Sequence, residues 1–77
     1  MATLVSALDT EFTPAAGDFI VQATGGQALL QRKNSSGAAF APVGTIDKAG
    51  VIVSNPIAGA VYKLTATIGT PTVQADQ

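Results

Sequence analysis

Glycine and proline punctuate this chain so closely that almost no stretch is left in which a stable helix could form. Eight Gly and four Pro are spread through 77 residues. The two alanine-rich stretches, Pro14-Ala15-Ala16-Gly17 and Gly37-Ala38-Ala39-Phe40-Ala41-Pro42, each close on Gly or Pro before a third turn. Isolated helices shorter than about 12 residues are marginal in water. Between the breaks lie short runs rich in Val, Ile, Thr, Phe and Tyr, the pattern of many short strands. The length allows one domain. A domain of this size buries only about 60% of the surface its unfolded chain exposes and commonly relies on a disulfide, a metal or a partner subunit. With no cysteine in the chain, the first of these is absent.

Two segments carry most of the strand signal. In 18–33, Gly25-Gly26 reads as a tight loop between alternating runs, with Ala23 facing Ala28, Val21 facing Leu30 and Asp18 facing Lys33. In 61–76, Tyr62, Leu64, Ala66 and Ile68 alternate with polar residues, and the alternation resumes at Val73 and Ala75. A second hairpin through Gly69-Thr70 would set Leu64 against Ala75 and Lys63 against Asp76. Pro71 has no N–H to close that turn, so a wider loop over 69–72 stays open. Between them the sequence predicts a turn at Asn34-Ser35-Ser36-Gly37, a strand around 39–43, a turn near 47–50 and the unbroken apolar run Val51-Ile52-Val53. The fold expected is all-β: a small antiparallel β-sandwich or partly closed barrel of about six or seven strands. Residues 1–13 form an N-terminal arm and 14–77 the sandwich domain. A strand without alternation is expected to be covered on both faces, by a second sheet and the arm or by a neighbouring subunit. Leu4, Val5 and Leu8 of the arm, with Val51, Ile52 and Val53, are therefore the candidate interface residues.

Composition removes most chemistry. Without Cys or His, the chain has no thiol nucleophile, no imidazole base, no Ser-His-Asp triad and none of the usual zinc sites. Charged residues make up 12%, about half the usual share. Four basic side chains against five acidic ones give no basic face, so no nucleic-acid partner is expected. The apolar runs, 49–53 among them, are far short of the roughly 20 residues of a spanning helix, and no membrane partner is expected. Residues 1–8 are apolar but lack a basic lead and run into Asp9 and Glu11, so no secretory leader is expected; their pattern fits a short helix and an extended arm alike. Asp9 with Glu11, two apart on one face, and Asp18 with either are the only candidate carboxylate pairs, and nothing in their surroundings implies a cleft. Gly25-Gly26 is followed by strand alternation rather than a helix, which favours a turn over a phosphate cradle. Phe12, Phe19, Phe40 and Tyr62 are too few for a stacking platform and are expected in the core. Pro56-x-x-Gly59-x-x-Tyr62 has the look of a tyrosine corner, whose hydroxyl bonds back to the chain just upstream. No catalytic, cofactor-binding or metal site is expected, and the chain reads as a non-enzyme.

The order DFIVQATGGQALLQRKNSSGAAFAPVG followed by GVIVSNPIAGAVYKLTATIGTPTVQ resembles small structural proteins of tailed-bacteriophage virions over residues 18–74. The resemblance implies a virion protein that decorates or cements the capsid surface or is a module at the base of head or tail fibres, the capsid surface being favoured. Its partners would be copies of itself, with a trimer favoured, and the major capsid protein or another virion protein. The family supplies no binding residues that carry over. The alternative is a carbohydrate- or receptor-binding β-module of a phage fibre, against which stand the few aromatics and the lack of clustered Asp, Asn and Glu at loop tips.

Overall fold

The computed structural model describes residues 2–34 and 37–77. The chain is all-β, with no helix among the described residues and five strands: β1 (Thr3–Val5), β2 (Phe19–Lys33), β3 (Ala41–Ile46), β4 (Val51–Val53) and β5 (Val61–Asp76). They form one open antiparallel sheet in the order β1-β5-β2-β3, with β4 also paired to β2. The turn expected at Asn34-Ser35-Ser36-Gly37 includes Ser35 and Ser36, which lie outside the described residues, as does Met1 of the arm.

Neither expected hairpin exists. Gly25-Gly26 lies inside β2, and Gly69-Thr70-Pro71 lies inside β5. The two long strands pair with each other along their whole length, from Ile20 opposite Asp76 to Lys33 opposite Val61. Ala23 therefore faces Val73 rather than Ala28, and Leu30 faces Leu64 rather than Val21. The expected charge pairs go with the hairpins: Lys33 lies 3.8 Å from Glu11, and Asp76 lies opposite Ile20. Five strands replace six or seven because each of two pairs of runs is one continuous strand.

These strands are creased. Laid flat, β2 would separate Phe19 from Arg32 by about 43 Å. Yet the Phe19 ring lies 4.9 Å from that of Tyr62, whose backbone is opposite Arg32, and the longest dimension of the whole chain is 30 Å. The bend falls where register slips. β5 carries one extra residue between the pairs Thr24–Thr72 and Gly26–Gly69, and another between Gln27–Ile68 and Ala28–Ala66. Such bulges bend a strand and raise its twist. Gly25 and Gly69 take φ of 87° and 65° there, a region open to glycine at little cost. Pro71 sits at the bulge, where a missing N–H breaks no ladder bond. On the other side of β2 the chain makes its own break between β3 and β4, at 47–50. The Asp47 side chain accepts from the Ala49 N–H at 2.9 Å, and the Asp47 carbonyl accepts from the N–H groups of Gly50 and Ala23.

The crease brings the inner faces of the two halves together. Phe19, Val21, Ala23, Val53, Val73 and Ala75 from one half meet Ala28, Leu30, Ile46, Tyr62 and Leu64 from the other in a single core. The N-terminal segment lies along the free edge of β5. Ala2 and Gln77 exchange backbone bonds of 3.0 Å, β1 pairs with the end of β5, Asp9 donates to Leu64, and Phe12 exchanges bonds of 2.9 and 2.8 Å with Tyr62. Its Val5 and Phe12 are buried in the core.

Candidate functional site

The six candidate interface residues separate into three groups. Val5 and Val53 are 7% exposed and belong to the core. Leu4 and Leu8 are partly buried and pack against it. Only Val51 (42%) and Ile52 (69%) present themselves to solvent. The expectation that β4 is covered on both faces therefore fails within the chain: Val53 turns into the core opposite Phe19, while Ile52 stands on the outer face opposite Ile20, itself 39% exposed. Ile20, Gln22, Ala49, Gly50, Val51 and Ile52 line a shallow groove at this edge. From Ala49 to Tyr62 no residue carries a charge, and Ile57 in the same stretch is also exposed.

No family model, no curated protein and no solved structure matches this chain.

The carboxylates are dispersed in role. Asp9, Glu11 and Asp18 are all exposed, Glu11 faces Lys33, and Asp9 is held at φ 59° with its N–H on the Leu64 carbonyl. Among the described residues no three acidic side chains gather as a metal cage would require. Gly25-Gly26, inside a strand, offers no cradle. Three of the four aromatics form one cluster. Phe12 stacks on Tyr62 with centroids 5.8 Å apart, and Phe19 meets both edge-on. Phe40 departs from its expected place in the core. It is half-buried, with the ammonium groups of Lys33 and Lys63 at 4.7 and 4.5 Å from its ring centre, close enough for cation–π attraction.

The tyrosine-corner spacing yields a related latch. The fully buried Tyr62 hydroxyl bonds the Asn55 Oδ1 at 3.0 Å, a side chain seven residues upstream rather than the backbone. Asn55, also fully buried, donates through Nδ2 to the carbonyls of Ala15 (2.9 Å) and Pro14 (3.4 Å), and its own carbonyl accepts from the Gly17 N–H at 2.8 Å. Asn55 thus joins the end of β4, the start of β5 and the segment leading into β2. Its part in this network was missed in the sequence, where Asn-Pro signals only a turn. Ile20 was not among the candidates either, because its place beside Ile52 depends on the pairing of β2 with β4.

Proposed function

We propose that this chain is a non-enzymatic structural subunit of a tailed-bacteriophage virion, decorating or cementing the capsid surface through symmetric self-association and contact with the shell. The observation that carries this reading is the outer edge at β4. Ile20, Val51, Ile52 and Ile57 are exposed around a stretch, 49–62, that has no charge. An isolated domain usually guards such an edge with charge or proline, whereas a subunit with neighbours uses it for contact. The resemblance of residues 18–74 to small virion proteins gives the setting. In this reading the halves of the creased sheet serve as the two layers of a small sandwich, and its partners are copies of itself, a trimer being the order the resemblance favours, with the capsid protein beneath.

The test uses phage particles produced from the genome that encodes the chain, examined by mass spectrometry and immunogold labelling with antiserum against the purified protein. The chain is expected in multiple copies, with label on the head. Absence from purified particles would overturn the reading, and label confined to fibres would replace it with the receptor-binding alternative.

A further inference from the structure

The free edges of the sheet are not alike. The edge of β5 is strapped by the N-terminal segment. On β3, Pro42 lies in the strand and Val43 is an extra residue between the pairs Leu30–Gly44 and Gln31–Pro42, two devices that stop another strand from adding on. β4 has neither proline, bulge nor charge.

The hydrogen-bond pattern of β4 shows what it lacks. Gly17 donates to Asn55, and the pairs Phe19–Val53, Ile20–Ile52 and Val21–Val51 continue that register. Bonded and non-bonded pairs alternate in an antiparallel ladder. The 17–55 bond makes 19–53 and 21–51 the bonded pairs and leaves the N–H and C=O of Ile52 aimed away from β2, at the open edge.

We infer that β4 pairs antiparallel with β4 of a second copy across a two-fold axis at Ile52. This names the surface for the self-association proposed above and rests on that part of the reading. In an isologous contact residue i meets j and j meets i, and here Ile52 would meet its own copy and Val51 would meet Val53, so every pair formed is apolar. Ile52 of the two copies would exchange both backbone bonds, at a Cα separation of about 5.5 Å. On the outer face Ile20 and Ile52 of one copy would continue into Ile52 and Ile20 of the other. On the inner face Val51, 42% exposed in the single copy, would lie beside Val53 of the second copy. An uncharged edge faces an uncharged edge, so the contact carries no repulsion.

Area sets the strength. A stable dimer covers about 800 Å² on each partner, about a fifth of the 4151 Å² this chain exposes. A three-residue strand with its neighbours covers much less, so the free pair is weak and concentration-dependent. Repetition on a shell would make it effective. A two-fold edge joins copies in pairs, so in an assembly of trimers it is the contact between them.

The absence of native cysteine makes the test clean. Ile52→Cys places two thiols within the 4.4–6.8 Å Cα range of a disulfide, whereas Ile20→Cys places them about 14 Å apart, three strand spacings. Under mild oxidation the Ile52→Cys protein should form a disulfide dimer at least tenfold faster than the Ile20→Cys protein. In sedimentation, Ile52→Lys should raise the self-association midpoint at least tenfold while leaving the melting temperature at low concentration unchanged. Equal cross-linking of both cysteine variants, no cross-linking of either, or Ile52→Cys bonding only to another virion protein would each overturn the two-fold. Shell binding by a protein that fails these tests would leave the virion reading standing without this contact. Dimers that never appear on particles would support the edge pairing and remove the virion reading.

Discussion

Gly26 is the residue at which one added methyl group costs most. Its Cβ would collide with the Ile68 carbonyl of the paired strand and crowd Pro71, so relief needs movement of backbone. Overpacking of this kind costs about 1–3 kcal/mol, and Gly26→Ala should fall at the upper end in a urea titration. Gly44→Ala is the matched control: a Cβ there meets nothing within 4 Å and the φ is not positive, so it should leave stability within about 0.5 kcal/mol. The Tyr62 hydroxyl gives a second measurement. Tyr62→Phe keeps the ring cluster and strands the buried Asn55 Oδ1, an unsatisfied acceptor worth about 1–3 kcal/mol. A loss below 0.5 kcal/mol in the same titration would mean that Asn55 finds another donor. The sequence showed Tyr62 as an anchoring residue through its spacing from Pro56 and Gly59. It did not show Asn55, because which buried donor a tyrosine meets depends on three segments converging.

At the level of elements, most inward residues were legible and their partners were not; Ala66 and Ile68, which alternation aligned with Tyr62 and Leu64, are exposed beside the β5 bulges. Val21, Ala23, Ala28 and Leu30 all face the core, as do Tyr62, Leu64, Val73 and Ala75. In β2 the inward set shifts from odd to even positions across Gly25-Gly26. A two-residue hairpin loop and a crease in one strand produce the same shift, so periodicity has no power to separate them. Pro71, which counted against a tight turn, was the residue that pointed to the bulge. β4 failed differently: three apolar residues are too few to show alternation, so nothing separated the exposed Ile52 from the buried Val53 within the candidate interface set. The N-terminal segment, expected as an arm, supplies Phe12 to the aromatic cluster and Val5 to the core. Phe12→Ala should therefore cost about 3–5 kcal/mol, measured as a fall in the urea midpoint. That is a large share of the total for so small a domain. An unchanged midpoint would mean the strap is detached in solution.

For the whole molecule, the governing fact is that the longest ladder joins distant parts of the chain. Ile20 pairs with Asp76 and Lys33 with Val61, so the crease closes only after long loops have been drawn together. Topologies dominated by such pairings fold in milliseconds to seconds. The ends of the described chain lie side by side, Ala2 and Gln77 exchanging 3.0 Å backbone bonds, which permits a permutation that moves the first closure to the other end of the ladder. Joining them by a short glycine-rich linker and opening the exposed 57–59 loop between Ala58 and Gly59 gives the order β5-β1-β2-β3-β4. No native strand pairing is removed, but the shortest closure moves from Lys33–Val61, with 27 residues between, to Ile20–Asp76, with about 20 residues and the linker between. The two loops are nearly equal in length, and since doubling a loop costs only about 0.6 kcal/mol, their closure entropies are nearly equal too. In stopped-flow refolding the permutant should therefore fold within about twofold of the parent's rate, with the crease as the step both share, and Gly26→Ala should slow refolding of both forms in proportion to its loss of stability. A severalfold difference at equal stability would show instead that the slow step runs through one particular end of the β2–β5 ladder.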